Sequence, residues 1–105
     1  MPQPPQLTDE QRAAALVKAA AVRQHRAEAK ARLKMGTLTL RELLVLAETD
    51  EVLAKLRVLT VLESLPGMGK VKARRLLDQV GIAESRRLSG LGPHQRDELE
   101  RATAR

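Results

Sequence analysis

Leu65-Pro66-Gly67-Met68-Gly69-Lys70-Val71-Lys72-Ala73 joins two short amphipathic segments, and its composition says what kind of joint it is. Upstream, Val58, Val61, Leu62 and Leu65 recur at i, i+3, i+4 and i+7, the spacing of one helix face. Downstream, Ala73, Leu76, Leu77 and Val80 repeat that spacing. Pro66 stops the first helix, because it disfavours helical geometry at Leu65 and has no N–H to donate. Gly67 and Gly69 reach backbone angles closed to other residues and allow close approach to the main chain. The unpaired N–H groups opening the second helix then form an anion site. Lys70 and Lys72 place positive charge beside it, and a phosphate is the natural occupant.

An apolar residue, Pro-Gly, an apolar residue and Gly, followed by a Lys-rich helix with a small residue at its fourth position, is the pattern of a helix-hairpin-helix, a binder of nucleic-acid backbone. Ala73 supplies the small residue. A bare loop between packed helices would explain the glycines, but it requires neither the proline nor the lysines in this order. A nucleotide-binding P-loop fails, since Ser64 stands at its first glycine and Val71 where a hydroxyl must hold magnesium.

Composition points the same way. The 105 residues include 19 Lys+Arg against 13 Asp+Glu, a net charge of +6 with a pI near 10.5. That balance favours a polyanion, nucleic acid before membrane. No apolar run suffices to span a bilayer, no signal-peptide pattern opens the chain, and a cytoplasmic location is expected. The lack of cysteine excludes disulfides and thiolate metal sites. The lack of Phe, Tyr and Trp counts against readers of single strands, which stack bases on aromatic rings. Binding through phosphates and groove shape is the better expectation. Net charge runs +4 over residues 8–35, −2 over 36–64 and +4 over 65–105, so the middle reads as scaffold and the ends as contact surface.

Residues 1–7, with three prolines, should be a disordered lead-in. Thr8 and Gln11 make a capping box, and nothing breaks a helix before Gly36, giving one long basic helix over 8–36 of roughly 40 Å. At 100° per residue, Arg12, Arg23, Arg26, Lys30 and Lys34 share an arc of about 80°. Ala13, Val17, Ala20, Ala27, Ala31 and Met35 form a neighbouring stripe suited to a weak packing contact. The first half of this helix is therefore expected to stand off the core as a basic arm, with Arg23, Arg26, Lys30 and Lys34 as a second DNA surface. His25 should face solvent or lie beside a phosphate rather than act as a ligand.

Residues 37–105 read as a compact helical domain. Thr39 and Glu42 form a second capping box, Leu40, Leu43, Leu44 and Ala47 an apolar face ending near Thr49, and Asp50 caps a short turn carrying Val52, Leu53 and Leu56. Gly81 ends the helix after the hairpin. Leu88-Ser89-Gly90-Leu91-Gly92-Pro93 then repeats the first joint in degenerate form, and a last helix should run from Pro93 to about Ala102. Two Gly-x-Gly turns suggest two phosphate contacts on one face, with Arg86 and Arg87 beside the second.

Together these features resemble the actinobacterial integration host factor family. The likeness runs through Leu7 to Leu16, Arg32-Leu33-Lys34, Glu48 to Leu53, Leu65 to Ala73, and Arg86 to Gly92. It implies an all-α fold in which a long N-terminal helix precedes a helix-two-turns-helix motif. It also implies binding of double-stranded DNA with little sequence preference, DNA bending or compaction, and assistance to a phage integrase. Carried over by position, the contacts would be Gly67, Met68, Gly69, Lys70 and Lys72, with Arg86, Arg87, Gly90 and Gly92 at the second turn. A monomer without cofactor or metal is expected.

A similar motif occurs in a small-subunit ribosomal protein, which makes RNA the alternative partner, and in formamidopyrimidine glycosylases. Gln3 stands where those enzymes keep a catalytic glutamate, and no Ser-His-Asp set or His/Asp cluster appears. Catalysis is not expected. Met68 and Leu91 belong to the core in this pattern rather than between bases.

Overall fold

A computed structural model describes residues 6–104, whose regular structure is helical. Most of the expected lead-in lies outside the described residues. The order is α1 (Asp9–Met35), α2 (Leu40–Ala47), α3 (Glu51–Ala54), α4 (Val58–Ser64), α5 (Gly69–Val80), a 3-10 turn at Leu88–Gly90, and α6 (Pro93–Thr103).

The local signals place the helix ends. Thr8 Oγ1 accepts the Gln11 amide at 3.1 Å while Gln11 Oε1 accepts the Thr8 amide at 2.9 Å. Gly36, at φ 74°, closes α1 in the left-handed conformation that glycine adopts without strain. Thr39 and Glu42 make the same reciprocal pair at α2, which ends at Ala47, two residues before Thr49. Asp50 Oδ1 accepts the amides of Val52 and Leu53 at the start of α3.

The arm is present. Residues 9–21 are all exposed, Leu16 and Val17 by 70% and 71%. The Cα radius of gyration is 16.8 Å, against roughly 13 Å for a compact chain of this length. The stripe Ala13-Val17-Ala20-Ala27-Ala31-Met35 does not pack, however, and every member is exposed. The inner half of α1 uses another face, burying Ala29 and Leu33 with Val22 partly covered. The physical reason is area: Leu33 alone removes more apolar surface from water than several alanine methyls.

α4 lies between α1 and α5 at the centre of the core. Val58, Val61 and Leu62 from α4 are fully enclosed, with Leu33, Leu43, Leu77 and Leu99 from their neighbours. Ala73 is also wholly buried, at the position where a small residue lets α5 approach α4. His25 Nε2 lies 2.6 Å from Asp50 Oδ2, so His25 ties α1 to the cap of α3 instead of facing solvent alone. This hydrogen bond is the largest influence holding the Asp50 carboxyl below its ordinary value of 3.8, with the Leu53 and Val52 amides adding to it against burial. At the far end, Arg96 of α6 pairs with Glu48 at 2.9 Å, fastening the last helix to the end of α2.

Candidate nucleic-acid interface

The first joint has the geometry its residues require. α4 stops at Ser64, and Leu65 before the proline is extended at φ −70°, ψ 142°. Gly67 and Gly69 sit at φ 73° and 68°, and nothing stands within 4 Å of where a Cβ would be at either. Both turn positions beside the α5 N-terminus are thus open. No side chain caps that end, so the first amides of α5, those of Gly69, Lys70 and Val71, lack helical acceptors. They carry the positive end of the helix dipole. Lys70 and Lys72 are exposed and 200° apart around the axis, so they flank these amides rather than lying together. Arg75, also exposed, follows Lys72 by three residues and extends the same flank, which the reading of the motif alone passed over. Met68 is partly buried against the core, so its backbone rather than its side chain borders the site.

The second turn does not repeat the first. Neither Gly90 nor Gly92 has positive φ. The amides of Gly90 and Leu91 donate to the carbonyls of Arg87 and Leu88 at 2.9 and 3.2 Å, and the Gly92 amide donates to Gln95 Oε1 at 3.2 Å. These donors are spent internally, which corrects the expectation of main-chain phosphate contacts at both turns. Gly90 has a different purpose: a Cβ there would stand 2.8 Å from Arg86 Cδ. Arg86 folds over the glycine, donating from Nη1 to the Gly90 carbonyl at 2.7 Å.

A short stretch of extended pairing puts Arg86 and Arg87 on opposite faces. Val58 N donates to the Arg86 carbonyl and Leu88 N to the Leu56 carbonyl, each at 2.9 Å, making an antiparallel bridge between Arg57 and Arg87. Successive side chains on such a stretch alternate between faces. Leu56, Val58 and Leu88 point into the core, and Arg86 is half-buried on their side. Arg87 points out, exposed, with Nη1 donating to the Lys55 carbonyl at 2.6 Å. Of the pair, Arg87 is therefore the one whose side chain is exposed. The bridge also fixes where the turns lie: the first at the C-terminal end of α4, the second at its N-terminal end.

Along α1, Arg23 and Lys34 are exposed while Arg26 and Lys30 are partly covered. Arg26 Nε is buried and without a hydrogen-bond partner among the described residues. The inner part of the basic arc therefore lies along the edge of the core rather than on a free arm. Among the described residues, no cluster of His, Asp or Glu could hold a metal ion, and no helix is long and apolar enough to cross a membrane.

Two helices meeting at an uncapped glycine turn, with a second turn bridged back to the first helix, define a helix-two-turns-helix protein. The S13-like H2TH domain model matches residues 33–102. The integration host factor of Mycolicibacterium smegmatis is 59% identical over 95 residues, 90% of each chain, and that of Mycobacterium tuberculosis 58% over 95 residues, again 90% of each. The Streptomyces coelicolor integration host factor is 52% identical over 97 residues, 92% of this chain and 91% of the relative. The solved structure of sIHF bound to an 8bp palindromic DNA superposes with a TM-score of 0.80 at 46% identity, covering 83% of this chain and 98% of that one. The chain belongs to the actinobacterial integration host factor family.

Proposed function

We propose that this chain binds duplex DNA through its sugar-phosphate backbone with little sequence preference, bends or compacts it in the nucleoid, and so assists site-specific integration by a phage integrase. The observation that carries this reading is the uncapped α5 N-terminus behind Gly67 and Gly69, flanked by Lys70 and Lys72. Its free amides hold one phosphate, and the two lysines neutralise its neighbours. Arg87 grips the backbone at the other end of α4, with Arg86, Gly90 and Gly92 shaping the turn that positions it. Arg23 and Lys34, with the partly covered Arg26 and Lys30, form a second positive surface. Two such surfaces hold a duplex on both sides of a bend and offset its deformation cost. The DNA-bound relative supports the choice of duplex over single strand.

The test is titration of the full chain into a labelled 20-bp duplex at several salt concentrations. If ~4 to 6 phosphates are neutralised, log K against log salt slopes at roughly −4 to −5. A slope near zero refutes backbone clamping, and tighter binding to a structured RNA of equal length replaces DNA by RNA. Fluorescence transfer between duplex ends reads the bend; unchanged end-to-end distance rules bending out. Light scattering of the free protein should return the mass of a monomer.

A further inference from the structure

We infer that Arg57 is a phosphate-binding residue, which with Arg87 makes a second anchor for the duplex backbone at the N-terminal end of α4; the inference rests on the DNA-binding reading above. Arg57 lies in the acidic middle of the chain, where charge counting predicts scaffold, and only the bridge to Arg87 gives it a place in the interface.

The bridge is of the kind in which the facing residues exchange no hydrogen bonds themselves, the bonds running through Val58, Arg86, Leu88 and Leu56 on either side. Facing side chains come closest in that arrangement, with Cα atoms ~4.5 Å apart. Both arginines are exposed, and their neighbours Leu56, Val58 and Leu88 are buried, so both guanidinium groups leave the same outer face. Lys55, also exposed, adds a third cation two residues before Arg57, and its carbonyl receives the Arg87 guanidinium. Among the described residues, no carboxylate lies within 4.0 Å of Arg57, Arg87 or Lys55, whereas Arg74 and Arg96 are each paired with a glutamate. Like charges directly opposite across a bridge are destabilising. An anion between them removes that repulsion, and a bridging phosphate oxygen suits two guanidinium forks. Arg57 is not needed as a cap, since its side chain makes no capping bond to α4. The anchor and the Gly67–Gly69 turn are separated by the length of α4, at ~1.5 Å per residue roughly 10 Å, too far to share one phosphate.

The test compares wild type, Arg57→Gln and Arg57→Lys as full chains on a 20-bp duplex across salt concentrations. Loss of one phosphate contact lowers the magnitude of the salt slope by about 0.9, which is about an eightfold loss of affinity at 0.1 M salt relative to 1 M. Arg57→Gln shows that change, Arg57→Lys keeps the wild-type slope, and the free Arg57→Gln protein melts no lower than wild type at low salt. An unchanged slope in Arg57→Gln, with or without weaker binding, overturns the inference while leaving the DNA-binding reading intact. Absence of salt-dependent binding in wild type overturns both.

Discussion

Gly69→Ala and Gly81→Ala make a matched pair that separates backbone strain from phosphate contact. Gly69 stands at φ 68° and Gly81 at φ 80°, and nothing lies within 4 Å of a Cβ at either position. Both alanines are therefore strained and neither clashes. A left-handed L-residue costs ~1–2 kcal/mol. Against a stability of ~5–15 kcal/mol for a chain of this size, both variants stay folded. Each kcal/mol lowers the melting temperature by roughly 4–8 °C. The two glycines differ in what lies in front of them: Gly69 opens α5 at the uncapped amides, while Gly81 closes it, its amide donating to the Leu77 carbonyl at 2.8 Å. A methyl group at position 69 occupies the space a phosphate needs and weakens charge-assisted amide bonds worth ~1.5–3 kcal/mol. The assay is fluorescence anisotropy with a duplex, at fixed salt and well below both melting points. Gly69→Ala binds at least about tenfold more weakly than Gly81→Ala, since ~1.4 kcal/mol is a factor of ten. Equal affinities in two variants destabilised alike would refute the placement of phosphate at the first turn.

Three further outcomes follow from the core and from the second turn. Asp50→Asn keeps the cap of α3 but removes the carboxylate that His25 holds; because folding lowers the Asp50 pKa, its stabilisation is complete above its ordinary value of 3.8 and disappears as pH falls through the lowered one. Thermal melts should show wild type losing more stability than Asp50→Asn between pH 5 and pH 3, and parallel curves would count against the pair. Leu62→Ala, at a fully enclosed position, costs ~2–5 kcal/mol in urea denaturation, whereas Leu16→Ala on the exposed arm stays within ~0.5 kcal/mol of wild type. Arg86→Gln lowers the melting temperature and leaves the salt slope nearly unchanged, while Arg87→Gln lowers the slope; the opposite pattern would reverse the inward and outward assignment of the two arginines.

Local chemistry was the legible part of this chain. The capping pairs Thr8–Gln11 and Thr39–Glu42, the stop at Pro66 and the left-handed glycines 36, 67, 69 and 81 each depend on residues within a few positions of one another. A sequence displays such signals directly. The face of α1 that packs was misread, because an alanine stripe and a single leucine look comparable in a periodicity count but not in buried area. The second turn was misread for another reason. Gly90 and Gly92 copy the spacing of Gly67 and Gly69, yet the Arg87 and Leu88 carbonyls and Gln95 Oε1 take up the donors, and Gly90 is needed for the stem of Arg86. The bridge between Arg57 and Arg87 spans thirty residues and leaves no periodic trace, so the one contact that sorts the arginines into inner and outer faces was invisible.

α4 has seven residues, buried apolar side chains along its length, Arg57 before one end and the Gly67–Gly69 turn beyond the other. On the proposed reading it works as a caliper: the backbone from which both jaws spring is held at a set opening by a packed helix. Such a gauge responds to how far apart the two rails of a helix lie, so A-tract and G·C-rich duplexes, whose grooves differ in width, should be held with different strength although no base is touched.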